Sequence, residues 1–239
     1  MSELINFYEL DAVKALQPKA NNPGYPNHGL KVPFRMVVVG ASGSGKSNIV
    51  LNLISLCEDT FNKIYLFTRD KNEPLYEYLE LAIPDRDLLE INEGLDRLKQ
   101  MNFKKDFFGQ SLVIFDDLCL EKDQDIISEL YIRGRKMGSG SSKGVSVMYL
   151  TQKYTQVPTI IRGNCNYMIL KKIGGRRDIV EIMKNGAVIV ERDTLLHMYN
   201  HCINGDDILS FLLIDFNAAS EYQFRHNFTR VLNIAHFQK

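Results

Sequence analysis

No excess charge of either sign marks this 239-residue chain: 29 Lys and Arg balance 29 Asp and Glu. No global field therefore draws it onto nucleic acid or an acidic membrane, and any nucleic-acid contact has to be local. Long hydrophobic runs are missing too. The longest apolar stretches, such as residues 208–214, are strand-length and far short of the roughly 20 residues that span a bilayer, which predicts no integral membrane segment. The opening Met1-Ser2-Glu3 has none of the basic character of a signal peptide, so the expectation is a protein made and kept in the cytosol. Cysteine is scarce. The four residues Cys57, Cys119, Cys165 and Cys202 form no Cys-x-x-Cys pair, which argues against a disulfide framework or a zinc knuckle and predicts reduced packing thiols. His197 and His201 lie four apart beside Cys202, but no Glu follows His197 as in a zincin helix, and packing is the expectation there. The aromatic residues fall at core positions and form no base-stacking platform.

The composition that is present, 45% hydrophobic and 24% charged, is that of a soluble globular chain long enough for one sizeable core. Residues 1–33 open helix-like and then carry Pro18, Asn21-Asn22-Pro23-Gly24, Pro26 and Pro33, a density that reads as an N-terminal arm and linker. Residues 34–239 read as a single domain, with a core over 34–185 and a C-terminal extension over 186–239. Within it, β-branched apolar runs alternate with helix-length amphipathic segments, the pattern of an α/β fold whose mostly parallel sheet is flanked by helices on both faces. The predicted strands are Met36–Val39, Ile64–Phe67, Leu88–Ile91, Leu112–Phe115, Val145–Leu150, Tyr167–Leu170 and Ile208–Ile214. Gly138-Ser139-Gly140-Ser141-Ser142 is predicted to be a flexible loop between a helix and a strand.

The run Met36-Val37-Val38-Val39 enters Gly40-Ala41-Ser42-Gly43-Ser44-Gly45-Lys46-Ser47, and a helix is predicted from Ser47 to Leu56 with Asn48 in its first turn. Strand, glycine-rich loop and helix in this order make a P-loop (Walker A), and residues 40–48 are the candidate binding segment for ATP. Gly40, Gly43 and Gly45 let backbone N–H groups turn inward around phosphates, Lys46 reaches the β- and γ-phosphates, and the Ser47 hydroxyl suits Mg²⁺. Leu112-Val113-Ile114-Phe115 then ends in Asp116-Asp117 at the carboxyl edge of the sheet, a Walker B element. Asp116 is predicted to hold Mg²⁺ through water, and Asp117 to orient or deprotonate the attacking water. About seventy residues separate Lys46 from Asp116, room for further strands, one of which, Ile64–Phe67, is expected to insert between the two. That order defines the additional-strand type of P-loop NTPase and favours ATPase motors over small-molecule kinases. Val147-Met148-Tyr149-Leu150-Thr151-Gln152 ends on a polar tip, which makes Gln152 the candidate γ-phosphate sensor.

Four stretches carry a resemblance: Pro33-Phe34-Arg35 before the P-loop strand, Asp116-Asp117, Gly134-Arg135, and Gln152-x-Tyr154-x-x-Val157-Pro158-x-x-Ile161-Arg162-x-Asn164. Spanning residues 33 to about 172, they resemble the genome-packaging ATPases of large double-stranded DNA viruses and virophages, the poxvirus-type branch of the FtsK-HerA ATPases. The resemblance implies a homo-oligomeric ring of five or six subunits that spends ATP to drive double-stranded DNA, without sequence preference, into a preformed capsid. It further implies docking to a capsid vertex or a membrane-associated capsid protein, in the host cytoplasm, the viral factory or the virion. In such a ring an arginine reaches the neighbour's γ-phosphate, a task suited to planar guanidinium, and Arg135 and Arg133, on the helix before the sensor strand, are the candidates. Relatives often carry histidine where this chain has Lys136, so both arginines stand. No other cation for the transition state is evident. For DNA phosphates the candidates are Arg133, Arg135, Lys136 and Lys143, and a second group of Lys171, Lys172, Arg176 and Arg177 around Gly174-Gly175.

Two other classes compete. A small-molecule kinase needs an arginine-rich lid, which is not evident, and a regulatory or loader ATPase would bind nucleotide and a partner without moving DNA. Hydrolysis measured with and without double-stranded DNA separates them. The segment after Ile214 carries no interpretable motif.

Overall fold

Apolar residues that run unbroken along a strand, rather than alternating with polar ones, belong to a sheet covered on both faces. The computed structural model describes residues 4–174, 176–184, 190–203 and 207–238. In chain order its elements are α1 (Asp11–Lys14), α2 (Tyr25–His28), β1 (Arg35–Val39), α3 (Lys46–Leu56), β2 (Lys63–Thr68), α4 (Pro74–Ala82), β3 (Leu89–Glu93), α5 (Asp96–Gln100) and β4 (Phe108–Asp116). They continue with α6 (Gln124–Arg133), β5 (Ser139–Thr151), α7 (Thr159–Asn164), β6 (Tyr167–Leu170), α8 (Arg176–Lys184), α9 (Arg192–Ile203), β7 (Leu212–Asp215), β8 (Phe224–His226) and β9 (Arg230–Val231). These strands form one sheet of order β3-β2-β4-β5-β1-β6-β7-β8-β9. Every pairing from β3 through β6 is parallel, and β7, β8 and β9 continue the sheet antiparallel.

Because successive side chains of a strand point to opposite faces, each hydrophobic run feeds two cores. Met36, Val38, Leu66, Ile114, Met148 and Ile169 pack with α3 and α4. Val37, Val39, Phe67, Phe115, Tyr149 and Leu170 pack with α6, α8 and α9. Leu53 holds α3, and with it the phosphate loop, against the sheet; its truncation to alanine costs ~2–5 kcal/mol by the usual core measure. No helix among the described residues is long and apolar enough to cross a membrane.

Four expectations are corrected. The strand between β1 and β4 is β5, the sensor strand, and β2 lies on the far side of β4; periodicity identifies strands but not the crossovers that order them. The additional-strand architecture stands, with a different strand supplying it. Residues 139–142 are not a loop but the start of β5, with Ser139 opposite Phe108. The pairing there is irregular, and Gly109, Gly140 and Gly144 adopt the positive φ of 65°, 92° and 147° that this ribbon needs. Residues 208 and 209 are not strand: the Asp207 carboxylate accepts from the Leu209 amide and the Ser210 hydroxyl and makes a turn ahead of β7. The segment expected as an arm divides in two. Most of residues 4–20 are exposed, whereas His28 and Leu30 are buried and His28 lies 3.6 Å from the Cys57 sulfur.

Candidate active site

β1 lies between β5 and β6, so the loop that leaves its carboxyl end is tied to both neighbours. The Gly40 amide donates to the Thr151 carbonyl at 3.1 Å and the Ala41 amide to the Lys172 carbonyl at 2.8 Å. Gly43 and Gly45 take φ values of 70° and 85°, which turn the loop's N–H groups inward, and a Cβ at Gly45 would sit 2.7 Å from the Ile208 carbonyl oxygen. Lys46 begins α3 and is buried; its amine folds back to donate to the Ala41 carbonyl at 3.3 Å. Among the described residues the Ser44 hydroxyl is buried without a partner. A helix N-terminus, inward amides, a buried ammonium and an unsatisfied hydroxyl form a cradle for phosphate oxygens.

Asp116, the last residue of β4, faces this cradle. It is buried, and its Oδ2 accepts a 2.5 Å hydrogen bond from the Tyr76 hydroxyl. Burial pushes the Asp116 carboxyl up to about 6, the nearby charges of Asp117 and Glu73 push the same way, and the Tyr76 hydrogen bond and the Lys46 charge oppose them. Burial and the Asp116 carboxylate raise the Tyr76 pKa and the neighbouring Ser47 side chain lowers it, so the hydroxyl of Ser47 and the carboxylate of Asp116 lie about one phenol. Two hard oxygens close together beside a phosphate cradle suit Mg²⁺, which is usually held by one or two carboxylates and substrate phosphates. Tyr76 was missed in the sequence, where Pro74–Ala82 reads as an ordinary amphipathic helix.

Asp117 sits one residue beyond β4 with φ of 54°, a left-handed conformation rare outside glycine, asparagine and aspartate. Its amide donates to the Leu150 carbonyl at 3.3 Å, and its Oδ2 accepts from Gln152 Nε2 at 2.8 Å. Its Oδ1 is buried without a partner among the described residues. The predicted water-activating acid and the predicted sensor are thus in contact, with one carboxylate oxygen left over.

Arg133 and Arg135 lie elsewhere. Arg133 ends α6, exposed and ion-paired with Glu129 at 2.5 Å, and Arg135 is exposed on a short 3-10 turn, Gly134–Lys136, rather than on the helix itself. Arg135 is close enough to Arg35, at the start of β1, to depress that guanidinium's pKa, an effect second to burial. Five residues of strand, ~16 Å at the usual rise, separate Arg35 from Gly40, so Arg135 is at the pole of the sheet opposite its own phosphate loop. Other cations, of which the sequence had singled out only Arg177 and for DNA, are nearer. Arg69 lines a cleft with Asp116 and Asp117, and Lys153 and Arg177 line one with Ala41, Ser42 and Gln152.

The C-terminal extension also reaches the site. Lys171 is buried, 1% exposed, and donates to the Ile208 carbonyl, which closes one side of a cavity of about 220 Å³ against Gly43 and Ser44. Lys171 is therefore withdrawn from the predicted DNA-facing group, while Gly175 and the Arg176 side chain lie outside the described residues. His197 Nδ1 is 3.2 Å from the Phe237 carbonyl, and the His201 ring packs edge-on against His226 and Phe237.

Comparison with known proteins places this geometry among relatives. The family described as Poxvirus A32 protein matches residues 25–214. The DNA packaging protein OPG160 of monkeypox virus is 29% identical over 184 residues, covering 72% of this chain and 58% of that protein. Its counterpart in vaccinia virus (strain Copenhagen) is 29% identical over the same length and is covered to 64%, so the chain spans less than two thirds of both relatives. Among solved structures, the genome packaging NTPase B204 from Sulfolobus turreted icosahedral virus 2, in complex with ATP-gammaS, superposes with a TM-score of 0.56 at 14% identity, covering 85% of this chain and 100% of that one. EssC (ATPases 2 and 3) from Geobacillus thermodenitrificans gives 0.53 at 11% identity over 84% of this chain and 40% of its own. The architecture is shared with both solved structures.

Proposed function

The chain belongs to the poxvirus A32 protein family, and on that premise we propose that it is an ATPase that drives double-stranded DNA into a viral capsid as a homo-oligomeric ring. The relatives named DNA packaging protein support this, and so does one observation above the others: Asp117 and Gln152 are joined at 2.8 Å beside a complete phosphate cradle. A protein that only bound nucleotide would need the cradle and not this pair.

In this reading the amides of residues 40–48 and the Lys46 ammonium hold the β- and γ-phosphates and offset the charge that grows on them during transfer. Ser47 and Asp116 hold Mg²⁺, which when bound supplies further neutralisation of the phosphate oxygens. Asp117 orients the attacking water through its free Oδ1, while Gln152 fixes the carboxylate and reports the state of the γ-phosphate to β5. Arg135, with Arg133 as the alternative, completes the site of the neighbouring subunit, since ~16 Å of strand keeps it from its own. Residues 34–239 act as one domain, onto whose core the end of the preceding segment packs through His28 and Leu30, in the host cytoplasm, viral factory or virion.

Hydrolysis by purified protein, measured with and without double-stranded DNA of unrelated sequences, tests the proposal. A translocase hydrolyses faster with any such DNA. A regulatory or loader ATPase shows DNA-independent turnover, and that result would overturn the packaging reading.

A further inference from the structure

Tyr76 is fully buried, and burial alone would be served by phenylalanine. Pro74 starts α4, which puts Tyr76 in its first turn and drives the ring into the core layer beneath β2 and β4 beside Leu66 and Ile114. A buried phenolic hydroxyl needs a partner. Its partner comes from an element far along the chain: it donates to Asp116 Oδ2 at 2.5 Å, the length of a charge-assisted bond, and the Ser47 side chain lies beside it. A hydroxyl that donates to the carboxylate keeps its lone pairs for a neighbouring hydroxyl, and a Ser47 hydrogen given to them would leave the lone pairs of Ser47 for a cation. The bond to Oδ2 likewise fixes the carboxylate plane and leaves Oδ1 outside that bond, for a cation.

Resting on the ATPase reading above, we propose that Tyr76 is a positioning residue for the divalent cation, its hydroxyl holding Ser47 and Asp116 in the cation-binding arrangement before nucleotide arrives. Groups that orient metal ligands in this way typically change metal affinity by about 10-fold to 100-fold when removed.

The test is binding of a non-hydrolysable ATP analogue, titrated with Mg²⁺ or measured in EDTA, for wild type, Tyr76→Phe and Tyr78→Phe. Tyr78 is on the same helix and 61% exposed, so it controls for loss of a tyrosine hydroxyl from α4. In Tyr76→Phe the Mg²⁺ needed for half-saturation should rise about 10-fold or more, with affinity in EDTA unchanged and maximal turnover largely restored by excess Mg²⁺. Tyr78→Phe should match wild type. An unchanged Mg²⁺ requirement in Tyr76→Phe, or an equal loss of affinity with and without Mg²⁺, would overturn the proposal. A wild-type protein whose nucleotide binding ignored Mg²⁺ would instead overturn the ATPase reading on which it rests.

Discussion

The Gln152 side-chain amide donates to the Asp117 carboxylate at 2.8 Å, which links the tips of the adjacent parallel strands β5 and β4. Asp117 is held in its left-handed conformation by this bond and by its own amide to Leu150. Side chains coupled in this way do not contribute independently. Asp117→Asn should retain ATP binding and lower turnover by about 10²-fold to 10⁴-fold, the range for a positioned acid or base. Gln152→Ala should also lower turnover, and the double variant should be little worse than Asp117→Asn. Lys46→Ala should differ in kind and lose nucleotide affinity as well. Binding and turnover measured on each variant check this, and wild-type turnover in Asp117→Asn would remove that residue from the chemistry.

Arg135 and Arg69 make opposite predictions about where the transition-state cation comes from. If Arg135 acts across a subunit boundary, Arg135→Ala should lose about 10³-fold to 10⁵-fold in rate with nearly unchanged ATP affinity. Mixing it with Lys46→Ala should then restore activity, because some interfaces join an intact loop to an intact arginine. Arg69→Ala should leave the mixture's behaviour intact. If Arg69 is the working cation, its removal causes the large loss and no mixture with Lys46→Ala recovers.

Lys171 gives a pH signature. Burial drives its pKa down to about 8, with the Asp207 charge pulling it partly back. Unfolded lysine titrates near about 10.4, so between these values the unfolded chain carries a proton that the folded chain has lost. The contribution of this residue to stability must then increase as pH rises through the window, the reverse of a lysine whose pKa is raised by an ion pair. Denaturant unfolding of wild type and Lys171→Met at about pH 7 and about pH 9.5 measures it. The stability of wild type relative to the variant should grow with pH, and a flat difference would mean that the amine is not buried as a cation.

The thiols should stay reduced and slow to react. Burial raises Cys57 and Cys202 to about 12, so neither is appreciably ionised near neutral pH, and half-buried Cys119 should be alkylated before either. Mass spectrometry after brief alkylation checks the order. Protein purified without chelator should carry no stoichiometric zinc; its presence would show that His197, His201 and Cys202 were misread.

The parts of the site that were legible in the sequence are those whose geometry is local. Gly43, Gly45 and Lys46 encode a backbone path within a few residues, and Asp116-Asp117 terminates an unmistakable apolar run. Tyr76 was invisible because its meaning lies in a hydroxyl meeting Asp116, 40 residues on, and nothing in the helix pattern distinguishes it from a core phenylalanine. The strand order was misjudged for a related reason: β2 and β5 have equally apolar sequences, and only the packing of the intervening helices decides which one lies beside β1. Gly140 was read as loop because the freedom that glycine gives a coil is the same freedom an irregular strand uses. Ile208 was given to a strand, although Asp207 and Ser210 turn it over the phosphate loop instead.

A sheet with its phosphate loop at one pole and its exposed arginines at the other has a head and a tail. Two such subunits can meet head to head, head to tail or tail to tail, and only the head-to-tail contact puts Arg135 of one against the loop of the next. A two-fold dimer stacked head to head or tail to tail pairs identical poles, so it would leave either both loops or both arginine poles without a complement. Assembly and activity are then separable: a dimer joined pole to like pole should be catalytically idle however tightly it forms, and turnover should appear with an arrangement that sets loop against arginine, as one that repeats around a closed circle does. All sites in that circle face the same way round, which gives the assembly a built-in sense of rotation.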